Sequence, residues 1–317
     1  MVDLLTVGEP LVVFASTEDN QNLVKAANFQ KHLAGAELNV AVGISKLGFS
    51  TEYISRVGND PFGIFIKERL IQAKIGTTYL STSQRAWTGF ELKEKVTQGD
   101  PDTFYFRKNS AVTELTRKIA TIINFENVRV LHLTGIFAAL SEQTLAISEA
   151  LIKQAKKDNT TVVFDPNLRP ALWPSTAKMV AVLNRLAFQA DIVLPGINEG
   201  RILTGLDTPE QIADFYLQHG SKNAVIKVGA RGSYFKTDQA KTGFVPGFKV
   251  KRVIDTVGAG DGFATGVISG LLDEIPLPEA ITRGNAIGAL ATQTTGDNDN
   301  YPDRLALKKF IAENSKK

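Results

Sequence analysis

Short apolar runs alternate with helical stretches along most of this chain, and that alternation constrains the fold more than any other feature. Leu4 to Val7 is an apolar run that stops at Gly8-Glu9-Pro10. From Leu38 the apolar spacing turns helical and continues to Leu47, before Gly48. Thr51 to Val57 then reads as a strand and Pro61 to Ala73 as an amphipathic helix. After an interruption the rhythm resumes, with strands at Val128 to Leu133, Thr161 to Phe164, Asp191 to Leu194 and Ala224 to Lys227. Helical stretches at Ser141 to Lys157, Ala177 to Phe188, Glu199 to Leu203 and Pro209 to His219 separate or follow them. Strand–helix–strand repetition predicts an α/β fold whose mostly parallel sheet lies between helices.

The interruption has its own pattern. Thr88 to Val96 and Thr103 to Arg107 are strand-like around a turn at Gln98-Gly99-Asp100-Pro101-Asp102. They predict a β-hairpin outside the main sheet, with the apolar run Leu11 to Ala15 pairing to it. Gly232 to Phe235 and Lys241 to Phe244 suggest a second hairpin. Phe248 to Val253 reads as one more strand. Phe263 to Leu272, Ala280 to Thr294 and Leu305 to Glu313 close the chain as helices. The 317 residues show no linker or repeat, so we expect one domain over 1–317. A small β extension would form from segments near 11–16 and 88–108.

Between the run at Phe248 and the helix at Phe263 lies Asp255-Thr256-Val257-Gly258-Ala259-Gly260-Asp261-Gly262. Gly258 and Gly260 allow successive N–H groups to point at one spot, and a helix N-terminus favours an anion there. Asp261 sits inside this positive nest, where its carboxylate is expected to be ionised and able to take a proton from an attacking hydroxyl. An anion nest with a base beside it suits phosphoryl transfer from a nucleotide to an alcohol.

Other chemistries lack their residues. There is no G-x-x-x-x-G-K-[ST] and no G-x-G-x-x-G after the first strand. His32, His132 and His219 have no metal-ligand spacing, and His132 falls inside a strand as a core residue. No serine sits in a G-x-S-x-G elbow. Net charge is 36 − 33 = +3, too small to argue for nucleic acid or an anionic membrane. The chain has no cysteine, no leader-like N-terminus and no membrane-length apolar run, which fits a cytoplasmic protein. The short charge runs near Lys157 and at Ser315-Lys316-Lys317 read as solvated surface.

Two separated motifs, Ala34-Gly35-Ala36-Glu37-Leu38-Asn39-Val40-Ala41 and Asp255 to Asp261, resemble those of the ribokinase-like, PfkB-type carbohydrate kinases. The resemblance runs nearly the whole length. It implies a three-layer α/β/α core with a small β-sheet lid, ATP and Mg²⁺ as cofactors, and a homo-oligomer, such as a dimer through the lid. It assigns Asp261 as base and Gly258, Ala259 and Gly260 as the anion hole. Asn167, Asn198, Lys227, Gly229, Gly232 and Asn285 fall on the nucleotide side. Glu199 would arrange Mg²⁺ through water, and Asp255 would help hold a monovalent cation. The family's usual Gly-Gly is Ala34-Gly35 here.

Three further segments narrow the substrate. Tyr105-Phe106-Arg107 lies on the hairpin, Arg169 follows the strand ending at Asp165-Pro166-Asn167, and Asp297 follows the last core helix in Thr295-Gly296-Asp297. With Gly35 and Asn39 they resemble the sugar contacts of family members that phosphorylate 2-keto-3-deoxygluconate, a sugar acid whose carboxylate an arginine can grip. Where that pattern expects a tyrosine, this chain has Phe90-Glu91. Fructose, ribose and phosphosugars are the alternatives within the family, and a sugar sensor without turnover is the alternative outside catalysis.

Overall fold

A computed structural model describes residues 1–97, 101–294 and 296–314. In chain order the first elements are β1 (Val2–Val7), β2 (Leu11–Asp19), β3 (Phe29–Ala34), α1 (Ala36–Lys46), β4 (Thr51–Gly58), α2 (Pro61–Gln72) and β5 (Leu80–Ser83). Next come β6 (Phe90–Lys95), β7 (Thr103–Phe106), α3 (Ile119–Ile122), β8 (Val128–Thr134), α4 (Gly135–Ala139), α5 (Glu142–Lys157), β9 (Thr161–Asp165) and α6 (Thr176–Ala187). The chain continues through β10 (Ile192–Val193), α7 (Ile197–Thr204), α8 (Pro209–Gln218), β11 (Asn223–Lys227), β12 (Gly232–Thr237) and β13 (Thr242–Pro246). It closes with α9 (Ala259–Leu272), α10 (Leu277–Ala291) and α11 (Arg304–Asn314).

The large sheet has the order β13-β12-β11-β10-β9-β8-β1-β4-β5. From β5 to β11 every pairing is parallel, and β12 and β13 add an antiparallel edge. Strands such as Leu4-Leu5 and Val162-Val163-Phe164 are buried on both sides, as a sheet covered by helices requires. One face packs on α5, α6 and α8 through residues such as Leu151, Leu183 and Ile212. The other packs on α1, α9 and α10 through Ile44, Val267 and Ile281. This is the expected three-layer α/β/α core. The chain runs outward from β1 through β4 to β5, returns beside β1 as β8, and proceeds the other way. The order therefore reverses between β1 and β8, and a crevice opens beyond the C-terminal ends of the strands at such a point.

The second sheet has the order β3-β2-β6-β7. β2 pairs antiparallel with β3 and parallel with β6, and β6 pairs antiparallel with β7. The β extension and its pairing with Leu11 to Ala15 are thus as expected. Its faces alternate with period two. Phe90 stacks on Phe106 with centroids 4.5 Å apart and meets Phe14 and Phe62 on one face. Glu91 and Lys93 fall on the other, with Leu11 and Val13 packed beneath.

Three readings differ. Phe29–Ala34 and Leu80–Ser83 are strands that sequence did not mark, because their half-exposed residues carry no clean alternation. Phe248 to Val253 is irregular; Phe248 leaves the sheet edge to pack on Phe310. The expected turn at Gln98-Gly99-Asp100 and the Ser315-Lys316-Lys317 tail lie outside the described residues. Among the described residues no helix is long and apolar enough to cross a membrane.

Candidate active site

The crevice is organised by the start of α9. Gly258 caps the helix with φ +79°, a left-handed conformation that favours glycine. A Cβ there would overlap the Asp297 carbonyl, so the same glycine lets the loop carrying Asp297 lie against the nest. The Tyr301 hydroxyl donates to the Gly258 carbonyl at 2.5 Å and ties the turn to the C-terminal region. Asp261 lies in the first helical turn.

Asp261 is 8% exposed. Its Oδ2 accepts from Asn39 Nδ2 at 2.8 Å and its Oδ1 from Asn167 Nδ2 at 3.4 Å. Asn298 in turn donates to Asn39 Oδ1 at 2.7 Å, which fixes the amide orientation. Burial pushes the Asp261 acid up to about 7; Asp165 and Asp297 push the same way, against the Asn39 hydrogen bond and Arg169. This corrects the expectation of a fully ionised carboxylate. Desolvation outweighs the nest, and the group stands near neutrality, where a general base accepts a proton most effectively.

A cavity of about 360 Å³ opens on the far side of the nest. Phe248, Val250, Val253 and Phe263 give it apolar walls, and Lys227, Gly229, Gly232 and Gly260 its polar floor. A Cβ on Gly260 would stand 3.7 Å from Lys227 Nζ, so the ammonium looks onto the nest. Lys227 donates to Asp165 Oδ2 at 2.8 Å. Burial works against its charge, but Asp165, Glu199 and Asp261 together hold the proton more firmly than usual. Asn285 lines this cavity, yet its amide is already spent: Nδ2 donates to the Val245 and Pro246 carbonyls and Oδ1 accepts from Ser233. It fastens β12 and β13 to α10. Asn198 is exposed at the start of α7, accepts from Arg201 at 3.2 Å and does not line the cavity. Asn167 faces Asp261 rather than the cavity.

Two metal expectations meet occupied side chains. Glu199 Oε1 accepts from Leu168 N at 2.8 Å and Oε2 from Gly196 N at 2.6 Å. Both oxygens cap α7 and brace the loop after β9. Asp255 Oδ2 accepts from Lys93 Nζ at 2.7 Å and Oδ1 from Val257 N at 3.0 Å. An ammonium from the small sheet stands where a monovalent cation was expected. Among the described residues no three His, Asp or Glu side chains gather to hold a metal ion.

The small sheet and the strand ends enclose the near side. Gly35 has φ +130°, and a Cβ there would strike the Glu9 carbonyl, so glycine keeps the turn into α1 tight against β1. Arg107 is held before any ligand arrives. Its Nε donates to Glu9 Oε2 at 2.7 Å, NH2 lies 2.5 Å from the same oxygen, and Ser110 donates to Glu9 Oε1. Arg169 is exposed and, among the described residues, donates only to the neighbouring Leu168 carbonyl at 2.8 Å. Tyr105 stands opposite Glu91 in register, and the Arg107 guanidinium lies 5.7 Å from its ring centroid. Burial raises the Asp297 acid, against the pull of Lys93 and Asn39. Sequence reasoning marked Glu91 only as standing where a tyrosine was expected, and it missed Glu9, Lys93 and Asn298. Glu9 could have been suspected from its place after the first strand; the others carry no motif. His132 is a core residue as expected. It is fully buried with Nδ1 3.1 Å from Thr6 Oγ1, and burial pushes its pKa down to about 3.

These features can be set beside known proteins. The chain is 45% identical over 312 residues to a 2-dehydro-3-deoxygluconokinase of Bacillus subtilis (strain 168), covering 98% of this chain and 96% of the relative. The crystal structure of a PfkB protein from Polaromonas sp. JS666 superposes with a TM-score of 0.88 at 40% identity, covering 97% and 99% of the two chains. A fructokinase double mutant from Vibrio cholerae O395, solved in fructose, ADP and potassium ion bound form, superposes with a TM-score of 0.85 at 27% identity, covering 98% of each. Residues 1–304 match the pfkB family carbohydrate kinase pattern, and the chain belongs to that family.

Proposed function

We propose that this kinase uses ATP to phosphorylate the terminal hydroxyl of 2-keto-3-deoxygluconate. The observation that carries the reading is that Asp261 lies between an apolar cavity and a cluster of polar side chains. Behind it lie the glycine nest, Lys227 and an apolar cavity; before it lie Asn39, Asp297, Tyr105, Arg107 and Arg169. The substrate name on the 45% identical relative supports the same choice.

In this mechanism the apolar walls take the adenine, and the glycine turn with Lys227 steadies the phosphates. The nucleotide phosphates, rather than a protein cage, would hold Mg²⁺, which would supply charge neutralisation there. Arg107 and Arg169 grip the sugar carboxylate, while Asn39 and Asp297 read the hydroxyls. Asp261 accepts the proton of the attacking hydroxyl at its Oδ atoms. The N–H groups at the start of α9 hold the charge that develops on the transferring group. The small sheet acts as a lid that keeps water out.

The whole chain then works as one kinase unit in the cytoplasm. A homodimer through the lid is supported by Phe104 and Phe106, which are 58% and 40% exposed on its outer side; light scattering reads that directly. Fructose is the competitor that the Vibrio cholerae structure favours.

The test is kcat/KM for 2-keto-3-deoxygluconate, fructose, ribose and fructose 6-phosphate, in wild type and Arg169→Ala. The keto acid should lead by about tenfold or more, and Arg169→Ala should cost it roughly 10–100-fold, as the loss of charge-assisted bonds implies. Arg169 is the cleaner probe, because Arg107→Ala would also strand Glu9, which is 3% exposed. A neutral sugar in first place overturns the substrate assignment and leaves the kinase assignment standing.

A further inference from the structure

Glu91 is a mostly buried acid whose carboxyl takes no hydrogen bond among the described residues. It lies on β6, 9% exposed, on the face that looks toward the near side of the crevice. Among the described residues its carboxyl makes no hydrogen bond and no ion pair. Three cations stand near it, and two of them already hold an acid of the protein. Arg107 is held by Glu9 at 2.7 Å and Lys93 by Asp255 at 2.7 Å. Among the described residues the Arg169 guanidinium pairs with no acid and donates to the Leu168 carbonyl. Enclosing a carboxyl without a hydrogen-bond partner is unfavourable, and acids perturbed in this way cluster at functional sites.

The surroundings come from every neighbouring element. Lys93 lies two residues along on β6. Tyr105 and Arg107 are on and just after β7, and Asp297 is on the loop after α10. Arg169 lies beyond β9, and His32 sits on β3 opposite Val13, the residue that also pairs with Glu91. Resting on the sugar-acid reading above, we propose that Glu91 reads the substrate as a neutral acid, donating a hydrogen bond to it beside the two arginines, and that its ionisation expels the sugar acid.

The chemistry requires the neutral form. An ionised Glu91 would repel the substrate carboxylate and compete with it for Arg169. Burial and Asp297 already push the Glu91 acid up to about 7, against Arg107, Lys93 and Arg169. A second carboxylate arriving in the pocket pushes it further the same way. Sugar-acid affinity is therefore full below neutrality and falls as pH rises through the titration of Glu91. A phenol keeps its proton across this range, so the tyrosine expected here would give no such dependence.

The experiment measures kcat and KM for 2-keto-3-deoxygluconate from pH 6 to 8.5 at saturating ATP, in wild type, Glu91→Gln and Glu91→Leu. Glu91→Gln keeps the shape and the hydrogen-bond donor without the charge. Wild-type KM should climb toward tenfold per pH unit at the alkaline end, the limit for one titrating group. Glu91→Gln should flatten that climb and bind the sugar acid more tightly than wild type at pH 8.5. Glu91→Leu should raise KM about 10–100-fold at pH 6, as expected when a buried hydrogen bond to a charged group is lost. The rise of kcat with pH, owed to Asp261, should persist in all three. If Glu91→Leu does not fold, the Glu91→Gln comparison carries the test alone. A wild-type KM that ignores pH, or one that Glu91→Gln reproduces, overturns the proposal while the substrate assignment stands. No turnover of the keto acid at any pH sinks both.

Discussion

Replacing Asp261 with Asn separates catalysis from stability in opposite directions. Asn keeps the shape and still offers an oxygen to Asn39, whose donor lies 2.8 Å away. It removes the basicity. Loss of a general base costs about 10²–10⁴-fold in kcat, equivalent to roughly 3–5 kcal/mol in the barrier. Stability moves the other way. The folded acid titrates at about 7 against an ordinary value of 3.8. A raised acid binds its proton more tightly in the folded state. The folded protein therefore loses stability as pH climbs from the unfolded value through about 7, and stays at the lower level above it. The shift corresponds to on the order of 4 kcal/mol as an upper bound, shared with the acids around it. Asp261→Asn should thus melt higher than wild type at pH 8 and differ little at pH 4. Coupled ADP release gives the rate and calorimetry at both pH values gives the stability. A variant that keeps more than about a third of the wild-type rate, well above the range for a lost base, would refute the catalytic role. A variant that melts no higher at pH 8 would refute the burial argument.

Two further perturbations test the scaffold of the site. Gly258→Ala forces a side chain into φ +79° and against the Asp297 carbonyl. It should cost about 1–2 kcal/mol from the left-handed backbone alone, with kcat falling as the nest shifts; wild-type kinetics would show that the turn does not need glycine. Lys93→Met leaves Asp255, 15% exposed, without its 2.7 Å partner. It should cost roughly 3–5 kcal/mol, as breaking a buried pair does. Lys93→Met with Asp255→Asn should recover most of that, and a double variant as unstable as the sum of the singles would show that the pair is not coupled.

The core was legible because its strands are short, apolar and regularly separated by amphipathic helices. Leu4-Leu5 and Val162-Val163 could hardly lie anywhere but in a covered parallel sheet. The small sheet was half legible. Its strands at Leu11 and Thr88 show themselves by residue type, but Phe29–Ala34 mixes Gln30, Lys31 and His32 into a strand whose exposure is set by its neighbours. Glycine and proline set local geometry, so the turn at Gly258 could be placed from sequence. Which acid meets which base depends on packing across elements. Nothing in the spacing of Glu9 and Arg107, or of Lys93 and Asp255, announces that each pair meets. The expectation for Asp261 failed for the same reason: the nest is local, whereas desolvation by α1 and the surrounding loops is not.

The distribution of charge around the crevice has one consequence for how it binds. Burial lifts the acids of Glu91, Asp261 and Asp297 together, and Glu91 and Asp261 both reach about 7. Asp297 opposes the ionisation of both Glu91 and Asp261, so the unliganded site carries less negative charge at neutral pH than its composition suggests. That arrangement is unfavourable for folding and favourable for catalysis. A base that was fully ionised at low pH would be too weak to take a proton from a hydroxyl, and a site lined by fixed carboxylates would repel both a sugar acid and a nucleotide. The cations are arranged to match. Lys227, Arg107 and Lys93 are each paired with an acid of the protein other than Asp261. Among the described residues Arg169 forms no ion pair with an acid, and it is a minor influence that lowers both Glu91 and Asp261. Drawing Arg169 onto a substrate carboxylate would withdraw its stabilisation from both protein acids at once. The same event would raise the Asp261 acid slightly further, a small link between recognition of the carboxylate and acceptance of the distant proton, while burial remains the main cause of its basicity.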